Sequence, residues 1–152
     1  MSERTVENSK ILLVDDDQDL LFIYKAKISS WGNYEVETEH DPRQVKERLQ
    51  NETFDLIISD MDMPYLQGDQ LHDVVNEVDR SIQFIILSSV LEDHRERLIR
   101  KGIRAIVDKI KGDEVLREQI LRALVIRHEM LDMANPGVPT AKIIQSDPQM
   151  VQ

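Results

Sequence analysis

Short apolar runs alternate with longer amphipathic stretches along this chain, and the apolar runs stop at polar side chains. Lys10 to Val14, Leu56 to Ile58, Gln83 to Leu87 and Ala105 to Val107 are such runs. Short Ile-, Leu- and Val-rich runs bounded by polar residues predict strands buried on both faces. Tyr34 to Glu39 instead alternates apolar with polar, which predicts a strand nearer a sheet edge.

Between the runs, apolar residues recur at helical spacing. Leu20, Leu21, Tyr24, Ile28 and Trp31 predict a first helix, capped by Asp17 and stopped by Gly32. Asp41 and Pro42 supply an N-cap and a first-turn proline for a second helix, with Val45 and Leu49 as its thin apolar stripe. Gln70 to Val78 predicts a third helix on Leu71, Val74, Val75 and Val78. Asp93 to Lys101 predicts a short charged fourth helix on Leu98 and Ile99, ended by Gly102. Asp113 opens the longest helix, which runs to Met133 before Asn135, Pro136 and Gly137 break it. Five strands alternating with five helices over short connections imply an α/β fold, a parallel sheet covered by helices on both faces. Residues 1–9 read as a polar lead-in, 10–133 as one domain, and 134–152 as a flexible tail.

Composition narrows the function classes. The 152 residues suit one domain, and 41% hydrophobic residues allow a sizeable core. The formal net charge of −10 disfavours non-specific binding to nucleic acid or to an anionic membrane, since both require a basic face. Cysteine is absent, which excludes disulfides, thiolate metal sites and thiol catalysis. No apolar run approaches the roughly 20 residues of a membrane span. The polar start lacks the apolar core of a secretory signal, so a cytoplasmic location is expected.

The candidate chemistry sits where the strands stop. Asp15 and Asp16, Asp60, Ser88 and Lys109 end four of the five runs, and in a parallel sheet those ends share one edge. Packed carboxylates repel, so one must protonate or be neutralised. A hard divalent cation neutralises them best, and an all-oxygen donor set suits Mg²⁺. A cation and an ammonium flanking a carboxylate make a seat for a phosphoryl group. The carboxylate itself can attack phosphorus and form an acyl phosphate.

Taken together, ILLVDDDQDL (11–20), DLIISDMDMPYLQG (55–68), FIILSS (84–89) and the Gly102 to Lys109 segment resemble the receiver domain of two-component response regulators, similar to the single-domain chemotaxis regulator. The resemblance spans residues 10–133 and implies a doubly wound, flavodoxin-like sheet of order 2-1-3-4-5. It implies roles as well. Asp60 would accept a phosphoryl group from a histidine kinase or phosphotransfer protein. Asp16 would bind Mg²⁺ directly and Asp15 through water, while Asp62 would offer its backbone carbonyl. Lys109 would pair with the phosphoryl group, and Ser88 would hydrogen-bond one of its oxygens. The segment from Ser88 to Gly102 is one residue shorter than the family leads one to expect, which leaves Ser89 as an alternative hydroxyl. Phosphorylation would switch a protein-interaction face for a downstream target. The face of the fourth helix, last strand and fifth helix, which dimerises in many relatives, is a candidate for that contact and for a homodimer. Such a domain catalyses only its own modification. No output domain follows residue 133, so the signal would pass through protein contact, or through an effector if this stretch belongs to a longer protein.

The chain departs from the family pattern in three places. Ile110 follows the lysine where proline is usual, and Ile106 stands where an aromatic is usual. Asp62 puts a carboxylate where many relatives carry a neutral side chain. Asp60, Met61 and Asp62 also resemble the DxD motif of haloacid-dehalogenase-type phosphatases, which sets an enzyme reading beside the switch. Pro64 stands where that family has threonine, and the motif follows the third strand rather than the first. A pseudo-receiver that binds partners without phosphorylation is the remaining alternative. His40, His72, His94 and His128 fall at no metal-binding spacing and are expected at the surface. The apolar residues of the last helix, from Val115 to Leu131, exceed one core stripe. They predict either burial under the tail or an exposed partner surface.

Overall fold

The computed structural model describes residues 6–89 and 92–135. In chain order the elements are β1 (Lys10–Val14), α1 (Gln18–Trp31), β2 (Glu35–Glu39), α2 (Val45–Asn51), β3 (Leu56–Ser59), α3 (Gly68–Val78), β4 (Gln83–Ser88), α4 (Arg95–Arg100), β5 (Ala105–Asp108) and α5 (Asp113–Ala134). Three single 3₁₀ turns, Val6–Asn8, Pro42–Gln44 and Lys109–Lys111, join them. The strands form one sheet of order β2-β1-β3-β4-β5, with every neighbouring pair parallel. The parallel sheet is what the alternation of runs implied, and its doubly wound, flavodoxin-like order is the one the family resemblance implied.

Strand periodicity explains the two faces. Successive side chains of a strand point to opposite sides of the sheet. Ile11 and Leu13 therefore join Leu21 and Ile28 of α1 and Leu116 and Ile120 of α5. Leu12 and Val14 face the other way, onto Val45 and Leu49 of α2 and Leu71 and Val75 of α3. A smaller cluster of Met61, Ile86, Leu98 and Ile103 seats α4, with Ile106 packed against it. Fully burying one such Leu or Ile contributes about 1.5–3 kcal/mol, so the uninterrupted apolar runs carry the fold. α1 begins where the Asp17 carboxylate accepts from the amides of Asp19 and Leu20. α3 begins with a capping box between Gln67 and Gln70.

The structure changes several boundaries. α3 starts at Gly68 rather than Gln70, because the capping box draws two more residues into the helix. α4 is limited to Arg95–Arg100. Val6 and Ser9 are buried, so the fold takes in part of the polar lead-in. The flexible tail expected over 134–152 lies outside the described residues from 136 onward.

Two of the four histidines are not at the surface. His72 packs edge-on against Phe84 at a centroid distance of 5.1 Å. His128 is buried against the Ser9 hydroxyl, Nε2 to Oγ 3.2 Å. The inner stripe of α3 runs through Gly68, Leu71, His72 and Val75 at i, i+3, i+4 and i+7, with Val78 at the exposed end of the helix. On α5 the buried stripe of Leu116, Ile120, Ala123 and Leu124 continues into Arg127 and His128. Leu121 and Val125 pack beside that stripe, while Val115, Ile126 and Met133 are exposed. Among the described residues no helix is long and apolar enough to cross a membrane.

Candidate functional site

Parallel register brings the polar strand ends to one edge. Val14 lies opposite Ser59 and Ser88 opposite Asp108, so residues 15, 60, 88 and 109 leave the sheet side by side. Backbone bonds extend the ladder past the strands. The Asp60 amide donates to the Val14 carbonyl at 3.0 Å, and the Asp15 amide to the Glu39 carbonyl at 3.2 Å. These bonds hold the two carboxylate-bearing residues in register before any side chain contributes.

Asp15, Asp16 and Asp60 each place a carboxylate oxygen within 4.8 Å of the others. Asp15 is buried and Asp16 exposed. One oxygen of Asp15 accepts from the Asp17 amide at 2.9 Å, which fixes the carboxylate. Its other oxygen faces the Lys109 ammonium at 3.2 Å. The same ammonium lies 3.7 Å from Asp60 Oδ1. Lys109 is held by the turn that follows β5, where the Asp108 carboxylate accepts from the Ile110 amide at 2.8 Å. The peptide joining Lys109 to Ile110 is trans.

Burial raises the Asp60 pKa above the ordinary carboxylate value, and the neighbouring charge of Asp15 raises it further. Lys109 opposes that shift, as do hydrogen bonds from the Met61 amide and the Ser88 hydroxyl. Ser88 is buried at the end of β4 and Ser89 is exposed, so Ser88 is the hydroxyl in contact with Asp60. Asp62 takes no part in the carboxylate group. Its side chain is half exposed, 3.7 Å from Nε2 of His94 on the turn before α4.

The donor set fits a hard divalent cation. It is all oxygen, tightly spaced, and mounted on rigid strand ends. A cation there would offset both the burial and the Asp15 charge that raise the Asp60 pKa. Chemically the site offers one partly buried carboxylate as nucleophile, with positive charge on one side and two anions on the other.

Two contributors escape a reading of the sequence. Gly68 looks like a turn residue, yet its amide donates to the Met61 carbonyl at 2.8 Å. A Cβ on it would stand 2.4 Å from the Asp60 carbonyl oxygen. The loop also holds Tyr65 at φ 73°, with the Arg43 guanidinium stacked 3.6 Å from its ring centroid. Neither feature has a periodic or compositional signature.

Comparison with known proteins agrees with this geometry. Residues 11–121 match the family model described as "Response regulator receiver domain". The chain is 26% identical over 140 residues to the transcriptional regulatory protein ZraR of Escherichia coli (strain K12). That match covers 91% of this chain and 31% of ZraR, so the chain spans about a third of that curated relative. The chemotaxis protein CheY4 of Vibrio cholerae superposes with a TM-score of 0.67 at 26% identity, covering 77% of this chain and 99% of that one. The response regulator TrrA of Thermotoga maritima shares the fold with a TM-score of 0.70 at 22% identity, covering 76% and 99%.

Proposed function

The chain belongs to the response regulator receiver domain family, and from there we propose that it is a phosphoacceptor switch in which Asp60 takes a phosphoryl group from a phosphohistidine. The observation that carries this reading is Asp60 itself, packed with Asp15 and Asp16 and faced by Lys109. An Asp60 carboxylate oxygen attacks phosphorus as the bond from phosphorus to the donor imidazole breaks. The imidazole leaves with the bonding pair and is then protonated from solvent. Asp15, Asp16, Asp60 and the Asp62 backbone carbonyl would hold Mg²⁺, which supplies charge neutralisation for the transferring group. The structure of TrrA was determined in complex with Mg²⁺ and BeF, which supports Mg²⁺ as the cation for this chain as well. Lys109, 3.2 Å from Asp15 and 3.7 Å from Asp60, would meet the incoming phosphoryl oxygens. Ser88 is placed to donate to a phosphoryl oxygen in place of Asp60.

A histidine kinase or phosphotransfer protein is the donor in this reading, and a protein target is the recipient of the signal. The face of α4, β5 and α5 is a candidate for the output contact or for a homodimer. Ile99 on α4 and Val115 and Ile126 on α5 are exposed apolar side chains there. The phosphatase reading loses its support at Asp62, whose half-exposed side chain stands apart from the Asp15, Asp16 and Asp60 group. The pseudo-receiver reading is disfavoured by the completeness of that group.

Intact mass after incubation with acetyl phosphate and Mg²⁺ tests the proposal. One added phosphoryl, lost in Asp60→Asn, supports it. Absence of any adduct, or an adduct that survives Asp60→Asn, overturns it.

A further inference from the structure

A groove of about 630 Å³ opens at the pole of the sheet opposite the carboxylates. Its walls include the first residues of β4 and β5, Gln83, Phe84 and Ala105, whereas Asp60 lies at the strand carboxyl ends. α3 closes one side and α5 the other.

The charge of the groove contradicts that of the chain. The whole sequence carries a net −10, yet no Asp or Glu lines this groove. Arg80, Lys101, Arg104 and Arg122 do. The Lys101 ammonium is already met by Asp73 at 2.8 Å and Asp69 at 3.4 Å. Arg80, Arg104 and Arg122 form no hydrogen bond or ion pair among the described residues. Three guanidinia without an acid partner therefore converge on one groove whose lining holds no carboxylate, which makes its rim locally positive. The Nδ1 atom of His72, a buried lining residue, makes no hydrogen bond and stands 3.9 Å from an Asp73 carboxylate oxygen.

The floor indicates what kind of anion fits. Ile82, Phe84 and Ile103 give it an apolar base, and Ile126 adds apolar surface on the α5 wall. A bare inorganic anion would gain nothing from that base, whereas a flat aromatic body would. Guanidinium forks match phosphate oxygens bidentately. The Gln119 side-chain amide, which has no partner among the described residues, adds a donor and an acceptor at the α5 wall. The volume is in the usual range for small-molecule sites, roughly 300–1,000 Å³. We infer that this groove binds a nucleoside polyphosphate, with its phosphates on Arg80, Arg104 and Arg122 and its base over the apolar floor.

Isothermal titration of the full chain with ATP and with GTP tests the inference. EDTA is included so that the carboxylate cluster holds no cation and adds nothing to the signal. The expected result is saturable binding of at least one nucleotide, weakened about tenfold or more by Arg104→Gln combined with Arg122→Gln. Both side chains are exposed, and a thermal melt of the double variant confirms that it folds. If that melt is lowered, Arg80→Gln serves as the second variant with the same expectation. Tripolyphosphate must bind more weakly than the nucleotide. Equal binding of tripolyphosphate, tighter binding of an octaglutamate peptide, binding unchanged in the variants, or no saturable binding would each overturn it. Phosphorylation of Asp60 is read separately, so either result leaves the other intact.

Discussion

A methyl group placed on Gly68 would stand 2.4 Å from the backbone carbonyl oxygen of Asp60 and 2.8 Å from Ile86 Cδ1. Gly68 is the first residue of α3, where alanine is ordinarily favoured by about 1 kcal/mol. The clash wins here, because its partner is main chain that cannot rotate aside. Gly68→Ala is expected to destabilise the fold by about 1–3 kcal/mol. It also displaces the Asp60 backbone, so phosphorylation by acetyl phosphate should slow in the fraction that remains folded. Urea melts and intact-mass time courses measure the two effects.

The raised pKa of Asp60 makes its charge a burden on the fold. A carboxyl whose folded pKa lies above its unfolded value contributes stability at low pH that is lost as pH rises through the folded value. Once ionised, the buried carboxylate weighs on the fold. Asp60→Asn is therefore expected to be more stable than the parent at pH 7 without divalent cation. Mg²⁺ should stabilise the parent by mass action, about 2.7 kcal/mol at a hundredfold excess over Kd, and stabilise the variant much less. Urea midpoints with and without Mg²⁺ decide it, and a variant that is less stable than the parent would contradict the argument.

Arg127 ties α5 to the far pole of the sheet. Its buried guanidinium meets Asp55 at 3.1 Å and Asp79 at 3.5 Å, and it donates to the Ser81 hydroxyl. Arg127→Met leaves Asp55 and Asp79 without their cation. The cost should be about 3 kcal/mol, typical of one partner removed from a buried pair. Asp60 lies at the opposite sheet edge, so acyl-phosphate formation by the folded protein should be unchanged. A stability loss below about 1 kcal/mol would show that Asp55 and Asp79 are solvated well enough alone.

His72 predicts an acid limb of stability. Burial lowers its pKa below 6.5, Lys101 lowers it further, and the carboxylates of Asp73 and Asp69 oppose the shift. The unfolded chain therefore takes up this proton before the folded chain does. Stability is fully present above the unfolded value and falls as pH drops through the folded one. Urea midpoints between about pH 5 and 7.5 should decline toward acid in the parent. The slope should be shallower in His72→Gln, and equal slopes would remove His72 as the cause.

The sheet was legible in the sequence because its strands announce themselves twice, as apolar runs and as polar stops. Lys10 to Val14 and Leu56 to Ser59 show both signals, and their register set the positions of Asp15 and Asp60. The burial of His72 and His128 was not legible. Each continues an apolar stripe but is covered by a residue distant in sequence, Phe84 over His72 and Ser9 over His128, and the helix pattern carries neither contact. The contact of Gly68 with Asp60 was hidden for the same reason: it joins two points on a loop that has no period.

Met61, the residue after Asp60, is completely buried, and it shares its cluster with Leu98 of α4 and Ile103, with Ile106 of β5 alongside. Tightly packed side chains of this kind compress very little. A shift of the Asp60 main chain would therefore press on the neighbours of Met61, α4 among them. Asp60 is thus tied to α4 through apolar packing in which no aromatic ring takes part besides Phe84 at its margin.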